Sequence, residues 1–473
     1  MTDKLRDLTA SVACWDRNVL GNVRAALDEV ARLRKKQASH AAYASGGSSE
    51  AALAAFAAWF QAETGANSPP LAIAMKHIDD VQGNGLVATQ DIPAGQQFMA
   101  IPYRMVLGNS HEFAARTDSA ADKRAWSLAA RDPLLANMPS CLLALRVLAE
   151  ACKKDKSYFH AYVAVLPSTF AIPLFYDADD FELLTGTDAF QPAVKLLYNS
   201  IKQFVYLHDF VRTQWSSGAP IPLTKFTIAN YFWALGVALT RQNELRLQAA
   251  DGASALGLIP GWDLCNHESS ADGKITTFSD PHAQLVTCET MRAFRAGEQV
   301  RMFYGPRSNK QLLLYSGFVV EGNVHNRVPL AFSVDAASDP LAKIRQMVLS
   351  KAAPSPALTP GVVAIELDTN GAVVSNAMKR AVQVLCMEKN SLGTALRSVA
   401  AVVAEDRLFE VTKEEAATAT QLIHESCVAN SEHLQRKMAQ STSAAHVVVI
   451  KQFLAGQVAV LTTALNHQQV FES

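Results

Sequence analysis

Apolar residues near the start of the chain recur every three or four positions, and that period predicts a helix. Over residues 12–36, Val19, Val23, Leu27, Val30 and Leu33 share one stripe. The basic cluster Arg32 to Lys36 suits a helix C-terminus, where the exposed carbonyls favour cations. Ser45-Gly-Gly-Ser-Ser49 breaks this helix, and Ser49 with Glu50 predicts the capped start of an Ala-rich one that stops at Gly65. Asn67-Ser-Pro-Pro70 closes the segment.

From 71 to 107 the period shortens to two. Ile73 and Met75, Leu86 to Thr89 and Phe98 to Ile101 predict short strands, with a turn at Pro93-Ala-Gly95. Gly83-Asn-Gly85 reads as a small glycine loop where backbone amides can meet a ligand. Helical spacing then fills 125–235: Pro139-Ser140 opens a helix through Cys141 to Cys152, and Thr227 caps one through Phe232, Leu235 and Leu239 to Arg241. Alternation returns over 257–304, in Lys274 to Phe278, Leu285 to Thr290 and Val300 to Tyr304, with a turn at Arg295-Ala-Gly-Glu298. Ser308 caps a short helix ending at Gly317.

Beyond Pro340 the pattern is helical, with a break at Pro354, Pro356 and Pro360, a capping box at Thr412 and Glu415 and a long last helix over 443–466. These periods predict an α+β chain. A helical segment covers 1–70, a β domain split by an insertion of about 125–235 covers 71–330, and a helical domain covers 335–473.

Length and charge narrow the picture. A chain of 473 residues holds two or three domains, and a net charge of −1 offers no general attraction for nucleic acid or acidic membranes. Seven cysteines, singly placed and without a C-x-x-C pair, predict a reducing compartment. The start Met1-Thr-Asp-Lys-Leu-Arg6 lacks an apolar leader core, and the late apolar runs are short or broken by Lys451 and Gln452. A soluble cytoplasmic or nuclear protein is expected.

Candidate chemistry concentrates in two phrases, Gly261-Trp-Asp-Leu-Cys-Asn-His267 and Phe303-Tyr-Gly-Pro-Arg307. Taken singly, their members have plain readings. Tyr304 is a strand aromatic, Arg241 a cation at a helix end, Asn243 a helix terminator, Trp262 a packing anchor and His267 a hydrogen-bonded structural histidine. Cys265 reads as an inert buried thiol, since no basic cluster adjoins it in sequence. Asp263, Cys265 and His267 have no second ligand cluster, so no metal is expected.

The order of these pieces says more than any one. Gly83-Asn-Gly85, Arg241-Gln-Asn243, Trp262-Asp-Leu-Cys-Asn-His267, Arg295-Ala-Gly-Glu298, Phe303-Tyr-Gly-Pro-Arg-Ser-Asn309 and Ser316-Gly-Phe318 together resemble a SET-domain protein methyltransferase over roughly residues 75–330. The resemblance is to the branch shared by the Rubisco lysine methyltransferases and the actin-histidine methyltransferases. It implies a SET β core of small sheets with a helical insertion, followed by an all-α substrate-binding domain. It also implies S-adenosylmethionine as cofactor and, acting alone, a monomer that modifies a protein substrate.

Trp262 stands where the lysine enzymes usually carry a small residue, and Asn243 where they usually carry an aromatic, which favours a histidine target and actin as partner. The resemblance implies that Gln82, Gly83, Asn84, Arg241, Asp263, Leu264, Cys265, Asn266, His267, Tyr304, Ser316, Gly317 and Phe318 surround the cofactor. Tyr304 and Asn243 become the catalytic pair, and Asn243, Trp262, Tyr304 and Arg307 face the substrate. One departure stands out: residues 50–66 contain no arginine, although the histidine enzymes supply one to the cofactor from that side. A lysine methyltransferase and a catalytically silent peptide-binding protein of the same fold are the alternatives.

Overall fold

The structure of the protein is a computed structural model that describes residues 3–10, 18–40, 49–65, 72–79, 82–110, 113, 119–215, 219–248, 253–269, 274–333, 337–352, 358–359, 362–442 and 446–466. Three helices come first, α1 (Asp3–Ala10), α2 (Val19–Lys36) and α3 (Glu50–Thr64). α2 buries Val23, Ala26, Val30 and Leu33, much of the predicted stripe; residues 12–17 of that expectation lie outside the described ones. The Ser49 hydroxyl accepts the Ala52 amide at 3.2 Å and so caps α3. Phe56 and Phe60 form the buried face of α3.

Among the described residues, ten strands build the β core. β1 (Ile73–Asp79), β2 (Gly83–Ala88), β3 (Gln97–Pro102) and β4 (Leu107–Gly108) precede the insertion. β5 (Asn243–Arg246), β6 (Ser254–Leu258), β7 (Asn266–His267), β8 (Thr277–Asp280), β9 (Leu285–Glu289) and β10 (Gln299–Met302) follow it. They pair into sheets of order β1-β2-β10-β7, β3-β9-β8 and β4-β6-β5. Each sheet mixes strands from both sides of the insertion, so the β domain is single in space and split in sequence.

The glycine triplet is not a loop. Gly85, Asn84 and Gly83 pair with Lys76, His77 and Asp79 as the first half of β2. A Cβ on Gly85 would lie 2.7 Å from Ile78 Cγ1, so close packing keeps a glycine in a position that propensity assigns to turns.

Between β4 and β5 run α4 (Ala120–Arg131), α5 (Pro133–Ala136), α6 (Pro139–Lys153), α7 (His160–Val163), α8 (Ala178–Leu184), α9 (Phe190–Gln214) and α10 (Ile228–Arg241). α6 and α10 pack against each other and are buried on nearly all sides, which explains why their apolar residues outrun a simple stripe. Each fully buried Leu or Phe there contributes roughly 1.5–3 kcal/mol. The Thr227 hydroxyl accepts the Asn230 amide at 3.1 Å and starts α10 where the sequence predicts.

After the core come α11 (Asn309–Tyr315), β11 (Val328–Ser333), α12 (Ala342–Ala352), β12 (Leu358–Thr359), β13 (Val362–Leu367), α13 (Asn376–Cys386), α14 (Lys389–Ala404), α15 (Lys413–Ala439) and α16 (Val447–Asn466). The region is dominated by helices, and a small antiparallel sheet β11-β13-β12 joins them. Thr412 and Glu415 form the capping box of α15. The proline break at 354, 356 and 360 lies outside the described residues. α16 is long and apolar enough to cross a membrane by length and composition. Its buried residues Ile450, Phe453, Leu454, Gln457, Leu461 and Ala464 keep helical spacing, and it packs along α15.

Packing divides the chain into two units. One gathers Met1–Phe181, Gln191–Pro306 and Leu314–Gly317, and the other Glu182–Phe190, Arg307–Leu313 and Phe318–Ser473. α3 belongs with the β core because Phe60 closes on Gly261, where an added Cβ would lie 2.6 Å from its ring. The second unit claims a piece of the insertion through Asp188, whose carboxylate meets Lys310 Nζ at 2.8 Å and Gln457 Nε2 at 2.6 Å.

Candidate active site

The site is organised around the C-terminal end of α10. Arg241 is its last residue, and its Nη1 donates to the backbone oxygen of Asp263 at 2.6 Å. Asn243 opens β5 and donates from Nδ2 to the Arg241 carbonyl at 3.0 Å. Its Oδ1 accepts no hydrogen bond among the described residues and stays available as an acceptor on a half-buried side chain.

Gly261, at φ 86°, turns the chain into a short 3-10 segment, Trp262–Leu264. Trp262 is 1% exposed, and its ring lies 5.9 Å from that of Phe98. It packs within the core beside the site.

Asp263 is 5% exposed, and its Oδ2 accepts the hydroxyl of Tyr162 from α7. Burial raises the Asp263 carboxyl pKa, against the opposing pull of the Arg241 charge and the Tyr162 hydrogen bond. Burial also pushes the Tyr162 phenol well above its ordinary value, and the Asp263 charge adds to this, so the phenol remains a donor. Leu264 and Cys265 are buried, and desolvation lifts the Cys265 thiol far from reactivity.

Parallel pairing of β7 with β10 brings the second phrase beside the first, with Asn266 opposite Arg301 and His267 opposite Met302. Tyr304 lies two residues past the end of β10, not on it. Its hydroxyl donates to the Cys265 carbonyl at 2.8 Å. Its amide donates to His267 Nδ1 at 3.3 Å, and the two rings are 5.1 Å apart. His267 is therefore a structural partner of Tyr304, with Nδ1 unprotonated.

Arg301 Nη2 donates to Gln82 Oε1 at 2.7 Å and its Nη1 to the His267 carbonyl at 3.2 Å. Asn266 Nδ2 reaches the Asn84 carbonyl at 3.4 Å, and Asn84 Nδ2 reaches that of Val165 at 3.2 Å. The structure thus brings Gln82, Asn84, Arg241, Asn243, Asp263, Cys265, Asn266, His267 and Tyr304 together. Ser316 and Gly317 lie in the same unit without a hydrogen bond to that group; Gly317, at φ 79°, sits where a Cβ would be 3.2 Å from the Ala171 backbone. Arg307 and Phe318 fall in the other unit, where the Arg307 carbonyl accepts Asn323 Nδ2 at 2.9 Å. Tyr162 and Arg301 carried no motif and were missed, since only the fold brings them to these partners.

Chemically, the group offers a fixed phenol, a free carboxamide oxygen and a half-buried guanidinium with spare donors. Arg241 Nε and Ser316 Oγ are buried and have no hydrogen-bond partner among the described residues, as expected of groups that wait for a polar or anionic ligand. No three of the described His, Cys, Asp or Glu residues converge as a metal site. A cavity of about 420 Å³ lies elsewhere, between α2 and Leu174 to Asp179, and shares no residue with this group.

No family model matches the chain. It is 30% identical over 336 residues to the actin-histidine N-methyltransferase of Homo sapiens, covering 71% of this chain and 52% of the relative. With the Gallus gallus protein of that name it shares 32% over 273 residues, 57% of this chain and 43% of the relative. The chain thus spans about half the length of the curated relatives it matches. Among solved structures, the SET domain of LSMT bound to lysine and AdoHcy superposes with a TM-score of 0.63 at 17% identity, over 88% of this chain and 90% of that one. Rubisco LSMT bound to AdoMet does so with a TM-score of 0.60 at 17% identity, over 88% and 91%. The chain has the fold of the Rubisco LSMT SET-domain structures, and its sequence is similar to that of the actin-histidine N-methyltransferases.

Proposed function

We propose that this protein is an S-adenosylmethionine-dependent protein-histidine N-methyltransferase that acts on a histidine of actin, as a cytoplasmic monomer. Sequence similarity to the named histidine enzymes supports the substrate, and the fold supports the reaction class. The observation that carries the reading is Asn243, whose Nδ2 is committed to the Arg241 carbonyl while its Oδ1 is not.

The cofactor supplies an electrophilic sulfonium methyl, and the residues here fit its polar ends. Arg241, with a buried unpartnered Nε, suits the methionine carboxylate, and the Asn266-His267 backbone suits an adenine edge. Methyl transfer is an in-line displacement, so the protein gains mainly by holding the nucleophile on line. An imidazole with a pKa of about 6.5 is already mostly neutral at physiological pH, whereas a lysine near 10.4 must first lose a proton.

What an imidazole needs is the right tautomer. A ring N–H donated to Asn243 Oδ1 leaves the other nitrogen as the nucleophile, and the fixed phenol of Tyr304 orients it. Mass spectrometry of an actin peptide bearing its histidine, set against the same peptide with lysine, tests this. Faster methylation of lysine would overturn it.

A lysine target is the second reading, supported by Rubisco LSMT structures with lysine and monomethyllysine bound. Calorimetry with S-adenosylmethionine tests the third reading, a silent binding protein, which an absence of binding at millimolar cofactor would favour.

A further inference from the structure

We infer that Tyr162 is a positioning residue for cofactor binding: its hydroxyl holds the Asp263 carboxylate off Arg241, so that the guanidinium stays free for the carboxylate of the methionine moiety. This rests on the cofactor reading above.

Arg241 touches Asp263, yet through the backbone. Nη1 lies 2.6 Å from the Asp263 carbonyl oxygen, and the two side chains form no ion pair within 4.0 Å. A guanidinium and a carboxylate that share a buried pocket ordinarily pair, because low dielectric strengthens their attraction and leaves each costly to bury alone. Here the carboxylate is diverted. Its Oδ2 accepts the Tyr162 hydroxyl, from a residue 101 positions away, and Arg241 Nε keeps no partner.

Tyr162 is well placed to persist in this task. It is fully buried on α7, and its ring lies 5.8 Å from Phe56 of α3. The phenol stays protonated because burial and the neighbouring carboxylate both oppose its ionisation. Without that hydroxyl the buried carboxylate loses its side-chain donor, and Arg241 is the cation whose charge acts on it. The cofactor carboxylate must then displace an internal anion before it binds.

The test is calorimetry on the full chain with two ligands. S-adenosylmethionine carries the carboxylate, and 5′-methylthioadenosine lacks it. Tyr162→Phe is expected to weaken S-adenosylmethionine by about tenfold, one charge-assisted contact, and to change 5′-methylthioadenosine by no more than about twofold. Adding Asp263→Asn removes the competing anion and is expected to recover most of the loss. Equal loss for both ligands, or no recovery in the double variant, overturns the inference.

Asp263→Asn alone keeps the question open to decision if Tyr162→Phe does not fold. With the anion gone, S-adenosylmethionine should bind as tightly as to the parent chain or more so, and weaker binding counts against the inference. If the unaltered chain binds no S-adenosylmethionine, the cofactor reading fails and this inference with it. If it binds and Tyr162→Phe binds equally well, only this inference fails.

Discussion

The phenol of Tyr304 donates to the backbone carbonyl of Cys265 at 2.8 Å across 39 positions of sequence. The hydroxyl direction is thereby set by the chain itself, and its ring is held beside His267. Tyr304→Phe removes the oxygen and keeps the ring. It should lower kcat by roughly a hundredfold, since small losses of alignment cost that much, while the Kd for S-adenosylmethionine from calorimetry moves by less than about threefold. A kcat within a factor of about two of the parent would remove Tyr304 from the transfer centre.

Target identity is readable from pH. The nucleophile must be unprotonated, so methylation of histidine should rise with pH through about 6.5 and level off by about 8, whereas methylation of lysine keeps rising toward about 10. Asn243→Phe removes the acceptor for the imidazole N–H and should move the preference toward a lysine peptide, scored by mass spectrometry of a mixed-peptide reaction. An unchanged ratio would detach Asn243 from target choice.

Gly261 sits at φ 86° with the Phe60 ring 2.6 Å from where a Cβ would be. Gly261→Ala meets both a disfavoured backbone and a clash, and should cost about 2 kcal/mol in urea unfolding. Because the next residues carry Asp263 and Asn266, cofactor affinity should fall with it. Full stability in this variant would mean that α3 shifts without loss.

Acid stability isolates one buried carboxylate. The Glu29 carboxylate is buried beneath Arg32 at 2.8 Å and Lys4 at 3.2 Å. The Arg32 hydrogen bond, more than any other cause, lowers its pKa from 4.5 to about 2. A lowered folded-state pKa means stability that is present above 4.5 and lost as pH falls toward about 2. Glu29→Gln should therefore flatten the fall in melting temperature over that window, and an equally steep fall would assign the acid sensitivity elsewhere.

Local chemistry alone determined much of this protein. Ser49, Thr227 and the Thr412–Glu415 box start helices where the sequence predicts, because a cap is satisfied within three residues. Period-two runs placed β8, β9 and β10, and the order of motifs pointed to the SET core. Tertiary structure alone decided the rest. Gly83 to Gly85 became strand because Lys76 to Asp79 pair with it, Trp262 became core because Phe98 covers it, and Arg307 went to the other packing unit. Tyr162 and Asp263 found each other across 101 residues. Capping and periodicity are read within one turn of chain, whereas burial and partner choice depend on which distant segments the fold brings into contact.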